Sequence, residues 1–172
     1  EGETSHESGV DGLRRVAAAL GYDPSEVRAE PKWLQSRIYS VKPPVLGITG
    51  KTWQNAVSDA RSALAHVGVV NRRIRSTDDL CTPWRDLWRE VLASGDKSMR
   101  ISLGRFLHHL SDQEVRPEDV TQVHADAFCD AVMSQEIAKP AEWAWRNAVW
   151  GWNRAITRVQ GWPQTPLTLP VR

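Results

Sequence analysis

Few residues in this chain have the types and spacing for bond-making chemistry. Five histidines are scattered along it. His108 and His109 are adjacent, so on a helix they point about 100° apart and cannot share a metal as an i, i+4 pair does. Gly50-Lys51-Thr52 carries the end of a phosphate loop, but the upstream glycine is missing at the required spacing and no strand pattern precedes it. Cys81 and Cys129 stand alone, which suits reduced thiols better than a disulfide or a zinc site. Ser, Cys and His form no nucleophile arrangement. The expectation is a chain without an active site, a metal or a small-molecule cofactor.

Recognition chemistry, by contrast, is concentrated in Lys139–Val159, KPAEWAWRNAVWGWNRAITRV, which holds four of the nine tryptophans. At about 100° per residue, Trp145, Ala148, Val149, Trp152, Ile156 and Val159 share one side, wide and apolar enough for a core face. The opposite side carries Trp143, Arg146, Asn147, Trp150, Arg154 and Thr157. Arg reaches phosphates and base edges, Asn can pair with adenine, and indole can pack on sugars. Two readings of Trp143 and Trp150 stand: they touch nucleic acid, or they pack under a neighbouring domain.

Composition bounds the partner. The chain has 172 residues and a net charge of only +1, so binding to a polyanion requires basic residues clustered on one face. No apolar run approaches the roughly 20 residues that cross a bilayer, and the polar start EGETSHES is no signal peptide. The expected setting is the cytoplasm, with no membrane partner.

Residues 1–8 read as a disordered lead-in. Val10, Leu13, Val16, Ala17 and Leu20 predict a helix closed by Gly21. Asp23-Pro24 opens a turn, and Glu30-Pro31 starts a helix that Lys42-Pro43-Pro44 breaks. Thr49 caps a helix from Gly50 to Val67, ended by Gly68. Residues 71–79 read as a linker. Thr82-Pro83 opens the next helix, with Trp84, Leu87, Trp88 and Val91 inward. Asp96 caps another, with Met99, Leu103, Phe106, Leu107 and Leu110 inward. A turn at Arg116-Pro117 and a helix from Thr121 to about Gln135 precede the tryptophan-rich helix, and residues 164–172 form an extended tail. No useful run alternates with period two, so the class is all-α.

The two halves match. Leu13, Arg15, Val16 and Leu20 fall on Leu103, Arg105, Phe106 and Leu110, each 90 positions on. Trp53-x-Asn55-Ala56-Val57 falls on Trp145-x-Asn147-Ala148-Val149 at an offset of 92. Ala60, Leu64 and Val67 then fall on Trp152, Ile156 and Val159. On the far face Lys51, Asn55, Ser58 and Ser62 correspond to Trp143, Asn147, Trp150 and Arg154. Two tandem helical bundles of one kind are expected, over 9–70 and 80–163.

The second half also has a specific order. Trp84-x-x-Leu87-Trp88 is followed by Arg100-Ile101-Ser102-Leu103-Gly104-Arg105-Phe106-Leu107, then Val115-Arg116-Pro117-Glu118-Asp119-Val120-Thr121, a helix, and Asn153-Arg154-Ala155 before Gly161-Trp162-Pro163. This order resembles the core-binding domain of tyrosine recombinases, the phage-integrase family. The resemblance implies a four-helix, SAM-like unit over 80–163, with the first unit a divergent repeat of it or an arm-type domain. It implies double-stranded DNA as partner, with self-association on DNA through the parent recombinase. The family's second and fourth helices approach the major groove. Carried over by position, the contacts are Lys97, Arg105, His108, Trp143, Arg146, Asn147, Trp150 and Arg154, with Gly104 admitting close backbone approach and Lys139 meeting a phosphate. The repeat adds Lys51, Asn55 and Ser58. The family's catalytic Arg, Lys, H-x-x-R box and Tyr have no counterparts here, because Tyr22 and Tyr39 lie early and no His precedes an Arg by three. The chain also opens without Met. It therefore reads as the non-catalytic N-terminal part of a recombinase. The competing readings are a stand-alone accessory DNA binder or regulator, and a helical protein-interaction module with its tryptophans as hot spots.

Overall fold

The computed structural model of the protein describes residues 2–70, 75–137 and 140–169. Among them the chain is all-helical, with seven α-helices and no strand. These are α1 (Gly2–Leu20), α2 (Pro31–Ser40), α3 (Gly50–His66), α4 (Thr82–Ala93), α5 (Lys97–Asp112), α6 (Gln122–Gln135) and α7 (Ala141–Ile156). Short 3-10 turns lie at Pro43–Leu46, Thr77–Asp79 and Pro117–Asp119.

Local chemistry sets the helix ends. Thr49 Oγ1 accepts from the Thr52 amide at 3.1 Å and Asp96 Oδ1 from the Met99 amide at 3.0 Å, each satisfying a first-turn donor that the helix leaves open. Gly68 closes α3 at φ 76°, where an L side chain is strained, while Val69 N–H returns to the Leu64 carbonyl at 2.9 Å. α6 opens differently: His124 Nδ1 takes the Thr121 amide at 3.1 Å, standing where a capping-box carboxylate usually stands. Three boundaries differ from the sequence reading. α1 begins at Gly2, so residues 2–8 extend it in place of a lead-in. Val67 is 69% exposed and outside the core, because it is the C-cap residue of α3. α7 stops at Ile156, and Val159 is buried beyond its end.

The chain divides into two compact units, residues 1–72 with 133–139 and residues 73–132 with 140–172. In the first unit α1 packs along α3. Val16, Trp53, Ala56, Val57 and Ala60 form one buried cluster, and Leu34, Leu64, Val70 and Ile137 form another. Ile137 explains why 133–139 groups here and not within a continuous second unit: its side chain is 2% exposed, and its carbonyl accepts from Arg61 Nε.

In the second unit α5 packs along α7. Trp84, Phe106 and Trp152 are completely buried, and Trp152 meets Trp84, Phe106 and Trp162 at centroid separations of 6.3, 6.0 and 5.0 Å. Trp84 Nε1 donates to the Val115 carbonyl at 2.7 Å and Trp152 Nε1 to Thr165 at 2.8 Å, so these two indoles bury their polar edge without loss. Asn153 binds the Leu167 carbonyl and amide at 2.7 and 2.8 Å. Residues 164–169, read from the sequence as an outgoing tail, are thus fastened to α7, with Leu167 buried.

Each helix pair crosses closely enough to exclude a side chain. A Cβ on Gly12 of α1 would lie 2.6 Å from Asp59 Cβ of α3. A Cβ on Gly151 of α7 would lie 2.8 Å from Ser102 Cβ of α5. At the offsets of 90 and 92, Gly12 falls on Ser102 and Asp59 on Gly151. The crossings therefore occur at corresponding residues, with the glycine on opposite partners. Gly151→Ala should cost about 1–3 kcal/mol through overpacking. Adding Ser102→Gly, which moves the glycine to the other helix as in the first unit, should recover part of that loss. Denaturant unfolding of the two single variants and the double variant checks this; strict additivity would contradict the crossing geometry.

Candidate nucleic-acid interface

α7 turns its apolar face, Trp145, Ala148, Val149, Trp152 and Ala155, into the second unit. What remains outside is Trp143 and Trp150, 44% and 41% exposed, with Arg146, Asn147 and Arg154 half-buried around them. Residues 143, 147 and 150 lie within about 60° of one another on a helix, and 143 to 150 spans roughly 10 Å of its axis.

The polar groups on this helix are unequally occupied. Arg154 Nε donates to Asp96 Oδ2 at 2.7 Å, and Arg158 reaches the same oxygen at 3.2 Å. Asp96 is the α5 cap, so one carboxylate ties the start of α5 to the end of α7. Its pKa is held below the usual 3.8, first by the Met99 amide and then by Arg154. The Arg154 guanidinium also lies 5.0 Å from the Trp150 ring centroid, within cation–π range. Arg146 lies 3.7 Å from Glu142, one turn back. Asn153 holds the Leu167 backbone. Of the polar side chains at 146, 147, 153 and 154, Asn153 and Arg154 are hydrogen-bonded within the fold, while Asn147 has no hydrogen-bond partner among the described residues and the Nη1 of Arg146 is buried without one.

Charge is segregated between elements. α5 carries Lys97, Arg100 and Arg105 against Asp112; α7 carries Arg146 and Arg154 against Glu142, with Arg158 just beyond. α6 carries Asp126 and Asp130 and no Lys or Arg, and Glu118 and Asp119 precede it. A net charge of +1 therefore conceals a basic helix pair.

The remaining expected contacts divide. Lys97 is exposed and Arg105 half-buried on α5, and Lys51, Asn55 and Ser58 are all exposed on α3. Lys139 lies outside the described residues. His108 is 8% exposed and is no surface contact; helical spacing put it beside Arg105, but it faces inward beside Leu107. Gly104 is also different: a Cβ there would sit 3.5 Å from Trp88, so its open side meets α4 in ordinary contact and gives no backbone approach to a ligand. Sequence reasoning missed Asp96 as a partner of α7, since 58 residues separate it from Arg154. It also missed Gly151, whose signal was a glycine inside a helix pattern, usually kept for a packing reason. Among the described residues no His, Cys, Asp and Glu cluster could hold a metal ion, and no helix is long and apolar enough to cross a membrane.

Comparison with known proteins finds no matching family model, no matching curated protein and no matching solved structure.

Burial makes one pH response predictable. His108 and His109 both have pKa values lowered from 6.5, chiefly by desolvation. Around His108, Arg75 lowers the pKa further while Asp112 and Asp79 oppose it; around His109, Asp112 raises it and His124 lowers it. A base with a depressed folded pKa stays neutral when folded, so the unfolded chain takes protons first. Stability should be full above about pH 6.5 and fall as pH drops from there toward the lowered values. Melting temperatures between pH 7.5 and 5.5 check this, and His108→Leu should flatten the slope.

Proposed function

We propose that this chain binds duplex DNA through the outer faces of α5 and α7, as the non-catalytic N-terminal part of a tyrosine recombinase. In this reading α4 to α7 are the four-helix, SAM-like core-binding unit, and α1 to α3 belong to a divergent repeat of it. The observation that carries the reading is the α7 face: two exposed indoles on either side of an asparagine without a partner, on the basic helix pair of a chain with little net charge. A face built only to stay soluble has little use for two tryptophans. The recombinase assignment itself rests on the ordered motifs between Trp84 and Pro163. Phosphate contacts from Lys97, Arg100, Arg105 and Arg146 supply affinity, and the parent protein supplies self-association on DNA and the cutting chemistry. The setting proposed is the cytoplasm.

A second reading keeps the same tryptophans as hot spots for a protein partner, where Trp and Arg commonly anchor interfaces. Salt separates the two. Neutralising phosphates releases counterions, so the log of the DNA affinity should fall linearly with log salt, with a slope of about −0.9 per phosphate engaged. Trp150→Ala should weaken duplex binding while leaving the melting temperature nearly unchanged, because the ring is already 41% exposed. Fluorescence anisotropy with a labelled duplex over a salt series, beside thermal unfolding, checks both. A large fall in melting temperature with DNA affinity intact would assign Trp150 to packing.

A further inference from the structure

α7 offers DNA four polar side chains, at 146, 147, 153 and 154, and two of them are already hydrogen-bonded within the fold. Arg154 is in a charge-assisted bond to Asp96, whose side chain is 11% exposed. Such a pair in a sheltered position is shorter and stronger than a neutral bond, and the other oxygen of the same carboxylate caps α5. Asn153 spends both ends of its amide on Leu167. Arg146 lies 3.7 Å from the exposed Glu142, and its Nη1 is buried without a hydrogen-bond partner. Arginine is the commonest reader of bases, yet here Arg154 is held by Asp96 and one end of the Arg146 guanidinium, Nη1, is buried.

We infer that Asn147 is the base-reading residue of this face, and that it reads adenine. The inference rests on the DNA-binding reading above. A carboxamide presents one donor and one acceptor side by side. In the major groove adenine alone presents the matching pair, its N6 donor beside its N7 acceptor. Asn147 also has the right place. It lies between Trp143 and Trp150, four residues after one and three before the other, so the indoles bracket it along the helix axis. The roughly 10 Å they span covers about three base steps at 3.4 Å each. The tryptophans seat α7 against sugars and thymine methyls, and Asn147 meets the base between them. Arg154, stacked toward Trp150 and fixed by Asp96, orients that indole and acts as a positioning residue.

The first unit repeats the placement. Asn55 lies four residues before Asp59, which meets Gly12 at the first crossing; Asn147 lies four before Gly151, which meets Ser102 at the second. The asparagine thus keeps its place relative to the crossing, although the flanking Trp143 and Trp150 correspond to Lys51 and Ser58.

The test uses the full chain and a duplex library randomised over its centre, selected at low salt with the parent protein and with Asn147→Ala. Ala is a better helix former than Asn, so the variant should fold, and thermal unfolding verifies it. The parent should select one position as adenine, and the variant should lose that preference with a roughly ten- to hundredfold weaker affinity for the selected site. Replacing that adenine by 7-deazaadenine, which lacks the N7 acceptor, should weaken the parent and leave the variant unchanged. If the parent binds duplexes but the variant keeps the same base preferences, or the two changes add independently, Asn147 is not the reader. If the parent retains no duplex at low salt and a protein partner requires Trp143 and Trp150 instead, the DNA-binding reading fails, and this inference with it.

Discussion

The outer face of the second unit depends on how closely α5 and α7 cross. At Gly151 the space for a side chain is taken by Ser102 Cβ and by Leu103, whose Cγ lies 3.1 Å from where a Cβ would stand. That approach has two consequences. On the inner side it lets Leu103, Phe106, Ala148 and Trp152 close into a dry core, each 0% exposed. On the outer side it brings the N-terminus of α5 within reach of the last turn of α7, so Asp96 can accept from Arg154 and Arg158 together. Buried indole surface supplies the driving force, and the missing methyl decides the geometry in which it is used.

The ion pairs that result do more to orient than to stabilise. Exposed pairs contribute little, typically below about 1 kcal/mol. Asp96 is the exception in kind, because its one carboxylate caps a helix and holds two guanidinium groups. It converts Arg154 from a mobile surface cation into a fixed neighbour of Trp150. A recognition face built on helices with locked neighbours keeps its geometry more faithfully than one built on loops. The same economy explains the fastening of residues 164–169 by Asn153 and Gln122, whose side chain accepts from the Thr168 amide at 2.8 Å.

Periodicity made the helices and most of their inward residues legible. Met99, Leu103, Phe106, Leu107 and Leu110 repeat at helical spacing and are all buried, and Thr49 and Asp96 announce the starts of α3 and α5. The exposed tryptophans were legible for the same reason, since they stand opposite the apolar stripe of α7. His108 was not, because a periodic pattern cannot say how wide the buried arc is; α5 is covered on enough of its circumference to include His108 and Ser111. Gly104 was misread because a glycine shows that something comes close without saying what. Asp96 with Arg154, and Ile137 with Leu34 and Leu64, are pairings between distant parts of the chain, which no local pattern encodes.

The central claim is that the outer face of α7 meets duplex DNA. The nine indole N–H groups each give a separate signal in a proton–nitrogen correlation spectrum, and a duplex titration reads them together. The signals of Trp143 and Trp150 should shift or broaden on addition of duplex DNA, while those of Trp84 and Trp152, bonded to Val115 and Thr165 inside the fold, should stay in place. Unchanged signals from Trp143 and Trp150 with DNA demonstrably bound would contradict the claim and move the binding face elsewhere on the molecule.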